Sequence, residues 1–468
     1  MQKLRVVIKP KLRPRAAPKA RAVNPAPQMV DTIIIKPQSK HPALTQLGNS
    51  RVVHSFSELS LRSDVVAALE GSGVSQPTVI QMLAIPKIAR GKNVLIASET
   101  GSGKTLTYLA PLISRLRDEE EVCGLVPRLR RPRALILLPS RDLAAQVLSV
   151  AKSLCHKARF RAVGLIGGVK RRFIKDALLH PVDLAVATPS SLLRYQKEER
   201  LWLSDLSHLV IDEADTLFDR SFIEETLKVV NTIKLRSTKP SAVPVISEDA
   251  QVTVVGATLS QPVVKKIESL VPNLKKVSTK HVHQILPNIQ QTFIRTAQNE
   301  KAEKLVSLIE DYPTDVFMVF CNTVSSCDWT SRYLKEHNVS VVKLHGGFAP
   351  QDRRHLLREF SEGSARVLVS TDIASRGIDS TSVNHVVQFD FPTNLPDYLH
   401  RVGRTGRVGS LANSCRATAF MTHRRDIRMA WKIKDAADRQ ADVLDSKSLQ
   451  ADTQILLPRK QHKLATVG

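Results

Sequence analysis

Ser98-Glu99-Thr100-Gly101-Ser102-Gly103-Lys104-Thr105 is the stretch on which the reading of this chain turns. It follows a short apolar run at 93–97 and precedes a segment of helical period that starts at Leu106, so the order is strand, tight loop, helix. Glycines at 101 and 103 let neighbouring backbone N–H groups turn toward phosphate oxygens, and the N-terminus of the following helix favours negative charge. Lys104 is spaced to reach the outer phosphates and Thr105 to ligate Mg²⁺. The strict pattern opens with Gly where Ser98 stands. A lone match of this kind often arises by accident, and the strand-loop-helix setting is what gives it weight.

Outward from that loop the same rhythm continues. Apolar runs at 134–138, 183–187, 208–211 and 252–255 alternate with helical segments, which is the pattern of βαβ units around a parallel sheet. A charged, Pro-containing stretch at 234–249 reads as a surface loop. The rhythm returns at 316–320, 340–344, 367–370, 385–389 and 417–421, so a second α/β domain is expected from near Pro287, with residues 276–286 as connector. Ligands of open α/β sheets gather beyond the carboxyl ends of the strands. Val210-Ile211-Asp212-Glu213-Ala214-Asp215 sits at such an end. There Asp212 would bind Mg²⁺, mostly through water, and Glu213 would orient and deprotonate an attacking water. Alone, these carboxylates read equally well as a solvated turn; behind a phosphate loop they complete a nucleoside triphosphate site.

Length and charge narrow the class. A chain of 468 residues exceeds one ordinary core. With 69 Lys and Arg against 44 Asp and Glu, its net charge of +25 points to a polyanionic partner, or else to an organellar address. No apolar run approaches the roughly 18 residues that a membrane helix needs. The five cysteines are scattered, without C-x-x-C pairs or histidines at metal spacing, and read as reduced thiols rather than a zinc or disulfide framework. Residues 1–50 are rich in Pro, Ala, Lys and Arg and carry no acid before Asp31, so no packed core is expected there. A targeting segment and a disordered RNA-binding arm both fit that composition. Residues 436–468 read as a polar tail.

Asp-Glu-Ala-Asp after an apolar strand, behind Thr-Gly-Ser-Gly-Lys-Thr, resembles the DEAD-box family of RNA helicases, and the likeness runs over residues 56–407. The resemblance implies an α/β fold of two tandem RecA-like domains, each a mostly parallel sheet flanked by helices, at 51–275 and 287–435. ATP and Mg²⁺ would lie between them and RNA across both. Gly73, Pro77-Thr78 and Gln81 resemble the Q motif, with Phe56 upstream, so Phe56 and Gln81 would meet adenine while Thr100, Gly101, Ser102, Gly103, Lys104 and Thr105 hold the phosphates. The stretch from Thr371 to Asp379 resembles motif V, which gives Thr371 an RNA contact and Asp379 a nucleotide contact. His400-Arg401-Val402-Gly403-Arg404-Thr405-Gly406-Arg407 resembles motif VI, which makes Arg404 and Arg407 the arginine fingers. The implied catalytic set is Lys104, Asp212, Glu213, Arg404 and Arg407.

Arg141 in a segment like motif Ia, the Gly167-Gly168 doublet, Thr188 of Thr188-Pro189 and Arg353 behind Leu344-His345-Gly346 match family positions that touch RNA phosphate and sugar without reading sequence, as does Phe320-Cys321-Asn322-Thr323, which resembles motif IV. Singly, each is an ordinary cap or turn. Four positions depart from the family pattern: Gly256 for Ser in the coupling motif Val255-Gly256-Ala257-Thr258, Glu99 for Gln, Pro350 for Gln and Ser191 for Arg. They leave ATP-driven RNA clamping beside unwinding as the expected action, with an ATP-gated RNA-binding assembly factor of weak turnover as the alternative. The particular combination of motifs is similar to the animal mitochondrial DEAD-box helicases associated with large mitoribosomal subunit assembly. That likeness implies structured ribosomal RNA as partner and a mitochondrial location, with nucleus or nucleolus as the alternative. Because the catalytic groups are split between two domains, hydrolysis would require closure.

Overall fold

The computed structural model describes residues 32–36, 55–168, 171–219, 221–236, 249–279, 288–372, 382–406 and 415–439. Two seven-stranded sheets organise them. One further strand, β1 (Thr32–Ile35), precedes the first sheet in sequence. That sheet is built from β2 (Val94–Ala97), β3 (Ala134–Leu137), β4 (Ala162–Leu165), β5 (Leu184–Ala187), β6 (His208–Ile211), β7 (Gln251–Gly256) and β8 (Lys275–Ser278), in the order β4-β5-β3-β6-β7-β2-β8, all parallel. Its central strands read VLIA, ALIL, LAVA and HLVI because both faces are covered, and alternate residues enter opposite cores. Ile136 and Val210 pack with the helices Val79–Ala89, Lys104–Cys123 and Arg141–Ala158, while Leu135 and Leu209 pack with Pro189–Lys197 and Gln261–Leu270. The phosphate-loop strand β2 and the Asp212 strand β6 thus flank β7, whose end carries Gly256-Ala257-Thr258.

The second sheet contains β9 (Gln290–Arg295), β10 (Phe317–Cys321), β11 (Val341–Leu344), β12 (Val367–Thr371), β13 (His385–Gln388) and β14 (Arg416–Met421), with β1 at its edge, in the order β1-β9-β14-β13-β10-β12-β11. Its strands are parallel except for β1, which runs antiparallel along β9 with Thr32 opposite Ile294 and Ile35 opposite Gln291. The α/β class with two tandem parallel-sheet domains is as the sequence led us to expect, and each apolar run quoted above forms a strand. No described helix is long and apolar enough to cross a membrane.

Three boundaries differ. Residues 1–50 were expected to hold no packed core, yet Ile33 and Ile35 are buried in the second domain's core, against the face shared with the helix Arg424–Arg439. Four residues suffice because the edge of β9 supplies the backbone partners, a contribution that a local reading does not contain. Strand β8 extends the first sheet through Ser278, into what was read as connector; it is an edge strand with only Val277 buried, so its pattern is polar. The final helix runs to Arg439, past the expected start of the tail. The rest of the arm, of the connector and of the tail lies outside the described residues.

Candidate nucleotide and RNA site

The loop between β2 and the helix Lys104–Cys123 turns at Gly101 and Gly103, with φ of 80° and 89°, a left-handed conformation that glycine takes without strain. A Cβ at 103 would stand 2.8 Å from Gln81 Nε2. Ser98 and Ser102 hydroxyls pair at 2.7 Å, and Lys104 Nζ donates to the carbonyls of Ser98 and Glu99 at 2.9 and 2.6 Å, so the lysine is held over its own loop. Burial pushes its pKa down, opposed by Asp212 and Glu99. Gln81 is 1% exposed. Its Oε1 accepts from the Thr78 N–H at 2.8 Å and its Nε2 donates to the Gly103 carbonyl at 3.2 Å, while Thr78 Oγ1 donates to the Ser102 carbonyl at 2.8 Å. The expected adenine reader is therefore also a brace for the phosphate loop. Phe56 does not open onto that space: at 1% exposure it is part of the core with Leu59 and Ile80. Its ring therefore presents little surface to a base in this structure.

Across β7, Asp212 is buried and fixed at both oxygens. Oδ1 accepts from the Glu213 N–H at 2.8 Å and Oδ2 from the Tyr108 hydroxyl at 2.8 Å. Burial, then the charge of Glu213, raises its pKa to about 6, while the Tyr108 hydrogen bond acts the other way. Glu213 has φ of 50° and its Oε2 is buried with no hydrogen-bond partner among the described residues. A buried carboxylate oxygen without a donor is costly unless something else occupies the space before it.

The two domains meet beside this cluster. Asp215 Oδ2 accepts from the Thr258 N–H and hydroxyl at 2.9 and 2.7 Å, and lies 3.2 Å from His400 Nε2, which is also 3.2 Å from the Thr258 hydroxyl. Although burial works against it, the bonds to His400 and Thr258 hold the Asp215 carboxyl far below the usual carboxylate range. Gly403 comes so close that Thr100 Oγ1 donates to its carbonyl at 3.2 Å, and a Cβ there would collide with that hydroxyl. Arg404 follows, buried, its Nε donating to the His400 carbonyl at 3.3 Å. Arg407 and Asp379 lie outside the described residues.

The expected RNA contacts are dispersed. Arg141 is exposed and its guanidinium lies against Gly167, where a Cβ would be 2.9 Å from Nε; Gly168 turns at φ 88°. Arg353 reaches across the cleft to Asp142 Oδ2 at 2.5 Å. Thr188 and Thr371 are buried at strand ends. Thus Arg141, Gly167 and Arg353, through Asp142, belong to one region, whereas Thr188 and Thr371 present little surface.

Family models match in the same two blocks: DEAD/DEAH box helicase over residues 78–267 and helicase conserved C-terminal domain over residues 300–409. The human protein named probable ATP-dependent RNA helicase DDX28 is 36% identical over 424 residues, covering 88% of this chain and 77% of that protein. The chain belongs to the DEAD-box helicase family. DEAD-box ATP-dependent RNA helicase 39 of Arabidopsis thaliana is 37% identical over 403 residues, 85% of this chain but only 63% of the plant protein. Among solved structures, S. cerevisiae Dbp5 bound to RNA and ADP BeF3 has a TM-score of 0.69 at 23% identity, covering 82% of this chain and 94% of that one. Mss116p bound to ssRNA and AMP-PNP has a TM-score of 0.70 at 22% identity, with 86% and 79% covered. These likenesses show the tandem fold.

ATP and Mg²⁺ fit the residues of this DEAD-box chain: a loop of left-handed glycines, a lysine over it, and the unpartnered Glu213 oxygen at the strand end. Thr105 and Asp212 would hold the metal, which supplies charge neutralisation at the phosphates. Sequence reasoning passed over Tyr108, Asp215, Thr258, His400 and Arg401. The last four stood inside quoted motifs without assigned contacts. Tyr108 could have been found one helical turn after Lys104, on the same face of a helix that begins at the phosphate loop.

Proposed function

We propose that this chain is an RNA-stimulated ATPase that clamps structured RNA and locally unwinds or remodels it, acting on ribosomal RNA of the large mitoribosomal subunit. Lys104 and Thr105 hold phosphate and metal, Asp212 the metal, Glu213 the water, and Arg404 with Arg407 the charge that develops in the transition state. The observation that carries this reading is the Asp215, Thr258 and His400 cluster, because it ties the carboxylate strand to the second domain beside the phosphate loop. A domain closure that RNA favours would then be felt at Glu213. The Gly256 departure is compatible with turnover. A side chain there would meet Leu259 at 2.6 Å, and the hydroxyl that bridges the domains belongs to Thr258. Glu99 accepts from Thr279 Oγ1 at 2.5 Å, a contact between the phosphate loop and the exit of the first domain.

The acid-free arm before Asp31 and the motif combination support the mitochondrial address. On this reading any presequence is removed before Thr32, since Thr32–Ile35 is part of the second sheet. The test is steady-state ATP hydrolysis with and without single-stranded or structured RNA, for wild type and Glu213→Gln. RNA-stimulated turnover that the variant lowers by about 10²-fold or more supports the reading. Absence of turnover in the wild type with RNA binding intact overturns it and leaves a nucleotide-gated clamp.

A further inference from the structure

On the helix Val324–Glu336, which begins where the segment resembling motif IV ends, Trp329, Tyr333 and His337 recur every four residues and so stand one above another. The Trp329 and Tyr333 rings stack at 5.3 Å and 20°, and Tyr333 and His337 at 4.2 Å and 29°. Phe389 backs the indole at 6.5 Å. Despite these neighbours Trp329 is 50% exposed, and Val324 above it 43%. Tyr333 is half-buried against the second domain's core, whereas Trp329 and His337 are open, so the row is more than core filling, and single exposed hydrophobics do not form such a row. The charges around it favour an anion. Arg332 and Lys335 have no ion pair among the described residues, whereas the Asp328 carboxylate is engaged by Lys343 at 2.5 Å and His345 at 3.2 Å. Glu336, at the lower end of the helix, is its other carboxylate.

We propose that this row is an accessory site for single-stranded RNA, on which unpaired bases stack against Trp329 and Tyr333 while Arg332, one helical turn from Trp329, meets the backbone phosphates. Aromatic platforms flanked by cations bind any base, because every base has a π-face. The site rests on the RNA reading given above and extends it: a strand leaving the Asn322-Thr323 end of the cleft continues down the outer helix, and Glu336 ends the path. A docked protein would use the same rings, but the unpaired cations and the adjoining expected RNA contacts favour nucleic acid.

The probe is fluorescein-labelled oligouridylate of about 10 and about 25 nucleotides, a length that fills the cleft alone and one that overruns it. Anisotropy is read on the full chain with a non-hydrolysable ATP analogue, for wild type, Trp329→Ala and Trp329→Phe. We expect Trp329→Ala to bind the longer RNA about tenfold more weakly and the shorter one as wild type does, with Trp329→Phe restoring most of the loss. A 4-thiouridine placed near the end of the longer RNA should crosslink to this helix. Unchanged affinity of Trp329→Ala for the longer RNA overturns the proposal and leaves the row to a protein partner. Equal loss at both lengths with a lowered melting temperature overturns it in favour of packing. Failure of the wild type to bind either RNA strikes the RNA reading itself.

Discussion

The two faces of the cleft are wired differently. On the first domain, the nucleotide site is held largely by its own neighbourhood: Lys104 by the Ser98 and Glu99 carbonyls, Asp212 Oδ1 by the next residue's N–H, Ser102 by Ser98. On the second, one buried side chain gathers distant ones. Arg401, 2% exposed, makes paired bonds to Asp372 at 2.6 and 2.7 Å, and reaches Asn322 Oδ1 at 2.6 Å and the Asp390 carbonyl at 2.7 Å, lying over the Phe320 ring at 5.3 Å. Residues from three strand ends converge on it. Asp390 in turn takes Lys301 at 2.6 Å and Ser326 at 2.6 Å. Local wiring survives the loss of one member because the loop's backbone remains; convergent wiring does not.

That contrast is sharpest at Arg401. Replacing it by Ala removes a buried side chain together with its charge-assisted bonds to the half-buried Asp372 and to Asn322, a loss of about 1.5–3 kcal/mol. Urea unfolding of the full chain, followed through Trp329 and Trp431 of the second domain, should show that loss, with Trp202 in the first domain little affected. A change below about 1 kcal/mol would show that the hub is dispensable and the contrast false. Between the two regions stands Thr258. Its hydroxyl is the atom that touches both Asp215 and His400, although the Thr258 N–H also serves Asp215. Thr258→Ala is expected to lower the RNA-stimulated part of ATP hydrolysis by about tenfold, the equivalent of a hydrogen bond of about 1.4 kcal/mol, and to leave the RNA-free rate within about twofold. Equal loss of both rates would assign Thr258 to the nucleotide side alone.

The same difference in wiring explains what was legible beforehand. Local motifs such as Gly101 to Thr105 and Asp212-Glu213 carry their geometry in adjacent residues, so spacing located them. The buried parallel strands were equally visible, since two covered faces leave a continuous apolar run. Edges were not. Strand β8 is mostly polar, and β1 is held by the register of β9 across more than two hundred residues, information absent from its own four. The burial of Phe56 was not legible either, because the spacing of a motif does not say which way a ring faces. Arg353 was expected on RNA; its bond to Asp142 of the first domain is a further contact that motif spacing does not foresee.

The smallest effect should fall on the first domain, where Tyr108 is the exception to local wiring: a fully buried residue of the helix Lys104–Cys123 whose hydroxyl crosses to Asp212 on β6. Its removal in Tyr108→Phe keeps the ring and its packing and takes away the one donor that Asp212 Oδ2 has among the described residues. Asp212 Oδ1 stays fixed by Glu213, so the carboxylate loses aim rather than place. A single such bond contributes about 0.5–1.5 kcal/mol, and roughly a threefold rise in the Mg²⁺ concentration needed for half-maximal binding of a fluorescent ATP analogue follows. Binding of the analogue without Mg²⁺ should not change. Should the Mg²⁺ dependence stay as in the wild type, Tyr108 merely fills the core, and the nucleotide side is as locally held as the rest of its loop.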